Sequence, residues 1–385
     1  MAATAPPPSH RVVARRNVTA ANTALPGLWG TAYSGINRAN NVLAALPALE
    51  DEFDADEYAE LKGEAHFVRA LNYFNLVNFF GGVPLVTAPI TAVPADVRQP
   101  KNSQAEIFAF IEAELALARA GLPERGSDAA GRASYEAATA LLARVHTYQK
   151  EWAPAYALAD EIIESHTFSL EPQYENAFEK EQTDEAIFEI PFTVTDPGSL
   201  AFWFFPGSMG GRYGIAPSGN LVGSFEDDDE RLNVAIQPED FGDDFGAKYT
   251  DISTTADDIP VLRVAEMYLI RAEAAARMGN FAQALEDVNV LRERAGLAGY
   301  DATTADLDED GTLEAAEVLE IVLIERRHEL FYEGHYFFDL KRFADVVPAA
   351  QARLTALGLT GNKLLFPIPQ REIDANPALI QNPGY

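Results

Sequence analysis

Apolar positions recur along much of the chain at the spacing of an α-helix. Trp29, Tyr33, Ile36, Leu43 and Leu46 fall close to multiples of a helical turn, and Tyr58, Leu61, Ala65, Val68 and Leu71 repeat the pattern. Each run predicts an amphipathic helix, the first from about Leu28. The second should stop where Gly81 and Gly82 meet Pro84, because paired glycines and a proline disfavour continuation. A third is expected from Ser103, whose side chain can cap free amides while Glu106 reaches back, to about Leu122 before Pro123. The arm over residues 1–27, rich in Ala and Pro with Pro6, Pro7 and Pro8 in a row, has no apolar period and reads as flexible.

An internal repeat follows. Ala143, Trp152 and Ala155 stand at one constant offset from Ala272, Phe281 and Ala284. Both segments, Ser134 to Ser165 and Val261 to Ala295, read as helix, turn, helix, with small residues that let the helices approach and an aromatic that plugs the gap. This is the logic of tetratricopeptide repeats, which stack hairpins because one hairpin alone cannot bury its apolar face. Between the repeats, prolines, glycines and a β-type run from Ala186 to Val194 break the helical pattern. The expected fold is therefore mainly α: a single domain over residues 28–385, with helical repeats at 28–167 and 259–345. A loop-rich, partly β insertion spans 168–258, and a C-terminal segment spans 346–385.

Composition narrows the function. The 385 residues carry 59 acidic against 29 basic side chains, a net charge of -30 that repels phosphate backbones and excludes nucleic acid as an expected partner. The basic residues are 22 Arg and 7 Lys, a bias that with the acid excess suggests a surface adapted to concentrated salt. With no cysteine, the chain has no disulfides, thiolate metal sites or cysteine nucleophile. No segment approaches the roughly 20 consecutive apolar residues of a membrane-spanning helix.

Two stretches carry candidate chemistry. Phe202, Trp203, Phe204 and Phe205, read as a strand, would send two rings to each face, and Tyr213 follows a glycine-rich turn. Sugar rings pack their C–H faces on aromatic rings, and hydroxyls suit Arg212, Asn220 and the cluster Asp227 to Asp229, so Trp203, Tyr213, Phe205, Arg212 and Asn220 are the expected ligand contacts. The second stretch, DLDEDGTLEAAE, places Asp306, Asp308, Asp310, Gly311 and Glu317 at EF-hand loop positions. With the Thr312 carbonyl and Glu314 they form an expected oxygen cage for structural Ca²⁺. No clear helix abuts Asp306, so this would be half of the usual helix-loop-helix. HELFYEGH, from His328, fails the zinc-protease pattern because Tyr332 stands where the second histidine is needed. Arg326, Arg327, Glu329 and Glu333 are instead spaced to pair along one helix.

Four segments in this order, EAHFVRALNYFNLVNFFGGVPLV (Glu64 to Val86), DIPVLRVAEMYLIRAEAAARMG (Asp258 to Gly279), ERRHELFYEGHYFFDLKRF (Glu325 to Phe343) and LLFPIPQREIDANPALIQNPGY (Leu364 to Tyr385), resemble the signatures of the SusD/RagB family. FEDDDERL, Phe225 to Leu232, resembles that family's acidic Asp-x-Arg-Leu segment. The resemblance implies a non-catalytic receptor, lipid-anchored on the outer face of the outer membrane. It would capture a nutrient oligomer, most often a glycan, for a SusC-like TonB-dependent transporter. Family precursors carry a secretion signal, a lipid-bearing cysteine and an opening helix; the chain is expected to lack these upstream parts, and its first repeat the partner helix. The competing readings are a peptide-uptake receptor, a peptide-binding tetratricopeptide adaptor and a hydrolase. A neighbouring transporter gene would separate receptor from adaptor, and polysaccharide turnover would mark the hydrolase.

Overall fold

The computed structural model describes residues 18–90, 98–125, 130–179, 181–238 and 244–385. In chain order the helices and strands used below are α1 (Leu25–Ala45), α2 (Ala55–Phe80), α3 (Gln104–Gly121), α4 (Tyr135–Gln149), α5 (Trp152–Glu164), β1 (Ala186–Ile190), α6 (Leu200–Phe204), α7 (Glu230–Ala235), β2 (Ile236–Pro238), β3 (Asp244–Gly246), β4 (Ile259–Arg263), α8 (Val264–Arg277), α9 (Phe281–Arg294), α10 (Ala315–Glu329) and α11 (Tyr336–Phe343). The protein is mainly helical, as its apolar periods predict. Contacts group it into two units, one of residues 18–125, 133–145 and 352–385, the other of residues 130–132 and 146–351. Neither is a continuous stretch of the sequence.

In the first unit the predicted caps form. The Glu106 amide donates to Ser103 Oγ at 3.2 Å and the Ser103 amide donates to the Glu106 carboxylate at 2.7 Å, which fixes the start of α3. The flexible arm is partly overturned: its residues 1–17 lie outside the described residues, but the stretch from 18 is tied down. Val18 and Leu25 are buried, and the Gln370 amide donates to the Ala20 carbonyl at 2.9 Å. Trp29 and Phe80 meet edge to face at 5.1 Å, and Tyr73 meets Phe110 likewise at 5.3 Å, joining α1, α2 and α3. Arg69, from the EAHFVRA segment, holds Glu114 through two bonds of 2.6 and 2.8 Å and reaches Asn40 at 2.8 Å. The C-terminal segment closes over the end of α2. Phe366 stacks on Phe79 at 5.5 Å, and the Asn382 side-chain amide donates to the Phe80 and Phe366 carbonyls at 2.7 and 2.8 Å.

In the second unit the repeat residues behave as their sizes require. Ala155, Ala272 and Ala284 are fully buried, and Trp152 lies half-buried beneath the Arg277 guanidinium, 4.9 Å from its ring. Arg271 on α8 ties α5 through Asp160 at 2.7 Å and α9 through Asp287 at 2.6 Å. β1 pairs antiparallel with β4, so the long segment between them begins and ends at one two-stranded ladder.

That segment is held to the helices by a buried charge network around Glu329. One oxygen of this carboxylate accepts from Arg263 and from Arg294, both at 2.5 Å, and the other accepts from Arg231 at 3.2 Å. Arg231 also binds Asp229 and Glu325, and Arg263 also binds Glu185 and Glu333. The expectation that Glu329 and Glu333 pair with Arg326 and Arg327 along one helix is therefore corrected. α10 ends at Glu329, Arg326 faces Asp339 at 3.1 Å, and Arg327 donates to Asn220 at 2.9 Å. Partners brought from α7, β4 and α9 outcompete neighbours along the helix, because burial strengthens each charged hydrogen bond and penalises any charge left without one.

Removing the shared anion leaves three guanidinium groups facing one another out of water. Glu329→Gln is expected to cost about 3–5 kcal/mol in urea unfolding. A loss below about 1 kcal/mol would show that the arginines repair themselves elsewhere and that Glu329 is not the centre.

Candidate functional site

The aromatic run forms a short helix and not the expected strand. The Trp203 amide donates to the Ser199 carbonyl at 3.2 Å and the Phe205 amide to the Ala201 carbonyl at 2.9 Å, so successive rings fan around an axis instead of alternating between faces. Phe204 and Phe205 turn into a core with Phe178, Phe245, Tyr249 and Phe331, while Phe202 and Trp203 stay half-buried at its edge. Phe205 packs at 5.1 Å on Phe245 with only 6% of its surface exposed, which removes it from the expected ligand contacts.

The glycine-rich stretch folds back over α6. Backbone amides of Arg212, Tyr213 and Gly214 donate to the carbonyls of Phe202, Phe205 and Trp203 at 2.7, 2.8 and 2.7 Å. A Cβ on Gly211 would collide with the Phe205 carbonyl, and one on Gly214 would stand 2.6 Å from the Trp203 ring, so only glycine permits this approach. Tyr213 adopts φ 50° and donates its hydroxyl to the Asp244 carbonyl at 2.8 Å, an unfavourable backbone held by a specific bond. The Arg212 guanidinium lies over the Trp203 ring, 5.1 Å from its centroid. The structure thus joins Trp203, Arg212 and Tyr213 in one locked loop. It places exposed Asn220 on Arg327 and buries Asp229 in the charge network, leaving Asp227 and Asp228 at the surface. Sequence reading passes over Met209 and Ile215, exposed apolar residues on the same loop, because single apolar residues in a glycine-rich stretch carry no period.

The acidic loop also takes a defined shape. Carboxylate oxygens of Asp306, Asp308 and Glu317 lie within 4.8 Å of one another. Asp306 accepts from the Gly311 amide at 2.7 Å across the bend, where Gly311 has φ 88°, and Glu317 accepts from the Leu307 amide at 2.6 Å. Asp310 accepts from the Thr312 amide at 2.8 Å, and at the start of α10 the Glu314 amide donates to the Glu317 carboxylate at 2.9 Å. Residues 302–305 form a turn, so a helix follows the loop but none leads into it. The amide of Asp310 lowers the Asp308 carboxyl, but local desolvation and the charges of Asp310, Glu317 and Asp306 together raise it above its ordinary value.

The two histidines of HELFYEGH part company. His328 stacks on Phe225 at 4.3 Å with its Nε2 3.1 Å from Ser224 Oγ, while His335 Nδ1 stands 3.8 Å from Glu266. They share no site.

Comparison with known proteins adds to this geometry. Sequence models match residues 240–357, described as the SusD family, and residues 9–147, described as starch-binding and associating with the outer membrane. SusD-like protein P38 of Formosa agariphila is 28% identical, the match covering 99% of this chain and 84% of that one. Starch-binding protein SusD of Bacteroides thetaiotaomicron is 24% identical, covering 88% and 75%. The solved structure of surface glycan-binding protein A from Bacteroides uniformis superposes with a TM-score of 0.83 at 25% identity, over 97% of this chain and 88% of that one.

Burial, helped by the positive charge of Arg231, pushes the His328 imidazole down to about 3. Above the ordinary value of 6.5 it is neutral folded or unfolded. As pH falls below 6.5 the unfolded chain takes up a proton that the folded chain refuses, so stability drops until pH nears 3. Wild type should lose up to about 1.4 kcal/mol per pH unit more than His328→Gln in that window. Parallel slopes in denaturant titrations at several pH values would mean that His328 protonates freely in the folded protein.

Proposed function

The chain belongs to the SusD/RagB family, and from that premise we propose that it captures a glycan at the cell surface and delivers it to a SusC-like TonB-dependent transporter of the outer membrane. The carrying observation is the loop that holds Trp203 half-exposed beside Arg212 and Tyr213, an aromatic platform with polar neighbours on a rigid base. Relatives named as starch-binding and surface glycan-binding proteins support that ligand class, and their names describe binding and not catalysis. A lipid anchor on a longer precursor would hold the protein at the outer face; association with the outer membrane is what the N-terminal family match describes.

Binding is tested by affinity electrophoresis and calorimetry against a panel of polysaccharides. Trp203→Ala should weaken the cognate glycan by about 1–3 kcal/mol, with a melting temperature that stays close to wild type. Unaltered affinity with a lowered melt would retire Trp203 from the site. Delivery is tested by co-purifying the anchored protein with a transporter encoded beside it; recovery of peptides and no polysaccharide would favour the peptide receptor.

Calcium belongs to the same proposal as a structural ion. Asp306, Asp308 and Glu317 would supply oxygens that lie within 4.8 Å of one another, and the Asp310 carboxylate, which accepts from the Thr312 amide, would have to join them. Millimolar calcium outside a cell would occupy even a site with a dissociation constant of about 10⁻⁴–10⁻³ M. Calcium should raise the wild-type melting point at low ionic strength, and Asp306→Ala with Asp308→Ala should abolish that shift while leaving glycan binding intact. A wild-type melt indifferent to chelator would reduce the loop to a solvated turn.

A further inference from the structure

Most of the described arginines in the second unit are met by carboxylate. Arg231, Arg263, Arg271, Arg292, Arg294 and Arg342 each carry an ion pair of 2.5 to 2.7 Å. Arg212 does not. Among the described residues its side chain makes no hydrogen bond and no ion pair, and its partner there is the face of Trp203. Its Nε is buried without a partner, whereas the two terminal nitrogens are not among the buried atoms and so reach solvent. Among the described residues, then, the guanidinium is half-buried and met by no carboxylate.

We propose that Arg212, stacked on Trp203, is a subsite for an oxyanion substituent of the glycan, the carboxylate of a uronic acid or a sulfate ester. This rests on the glycan-binding reading of the same loop and names the class of sugar. Stacking on an indole holds a guanidinium in place without neutralising it, because the ring offers a quadrupole and not a charge. The exposed terminal nitrogens present two parallel donors, the geometry that planar carboxylates and sulfate oxygens accept in pairs. The sugar ring carrying that group would lie along the edge where Trp203 and Ile215 reach the surface. The loop cannot easily swing away from this arrangement, since Gly214 fits against the Trp203 ring and Tyr213 is anchored to Asp244. A neutral sugar would gain the stacking surface but would leave the guanidinium as it is.

The net charge of -30 works against any anionic ligand at long range. At about 0.15 M salt, however, charges more than about 8 Å apart are largely screened, so the local cation decides.

The test compares charged polymers with their neutralised forms at that ionic strength: alginate against carboxyl-reduced alginate, κ-carrageenan against its desulfated form, and laminarin as a neutral reference. Wild type should bind at least one charged polymer about tenfold more tightly than its neutralised counterpart, and which pair responds identifies carboxylate or sulfate. Arg212→Gln should lose that factor, and Arg212→Lys should keep part of it, with thermal melts showing that both variants fold. If only neutral polymers bind, or if the preference survives in Arg212→Gln, the subsite is overturned while glycan binding stands. If none of the five polymers binds, both the subsite and the glycan reading fall.

Discussion

The second unit depends on a single carboxylate taken fully out of water. Glu329 sits at the end of α10 and receives guanidinium groups from α7, the end of β4 and the end of α9. Its backbone carbonyl does further service, accepting from Tyr174, Arg263 and Lys248. Burial opposes every one of these charges, and only the completed set offsets that cost, so the network forms as a whole or not at all. It therefore acts as a registration device: the long segment between β1 and β4 has one arrangement in which both Arg231 and Lys248 meet their carboxylates. Lys248 shows how far this goes. It is fully buried among the rings of Tyr174, Phe178 and Phe331, and burial pulls its amine down to about 8 even with Glu333 at 2.6 Å.

This network changes the meaning of the arginine bias. Read from composition, the excess of Arg over Lys suggested a surface suited to salt. Arg69, Arg231, Arg263, Arg292, Arg326 and Arg342 are in fact buried. A guanidinium keeps its charge out of water and serves several carboxylates at once, which a single ammonium does less well. Much of the bias therefore belongs to the interior.

What the sequence made legible is what depends on neighbours in the chain. The capping pair Ser103 and Glu106 lies three residues apart, and the alanines that let α8 and α9 approach repeat at helical spacing, so both could be read directly. The bend at Gly311 follows from the same locality. The misreadings concern residues whose environment is assembled from afar. Phe202 to Phe205 satisfied strand composition, but a core built from residues as distant as Phe178 and Phe331 accepted the run as a helical turn. Glu329 and Arg326 had the spacing of a helix pair, yet each found a stronger partner more than ten residues away. Within the candidate site, residue types alone selected Trp203, Arg212 and Tyr213, but could not distinguish them from Phe205, whose burial is decided by Phe245.

The closure of α2 by the C-terminal segment carries a temporal consequence. Asn382, three residues from the end of the sequence, bonds the Phe80 carbonyl that α2 leaves open, and the whole of residues 146–351 lies between the chain segments that build this unit. A contact of such sequence separation is made late, after the entropy of a very long loop has been spent. The end of α2 is therefore covered only when the stretch around Asn382 comes back across that separation, which makes this closure a late step of folding whatever the order in which the rest of the unit forms.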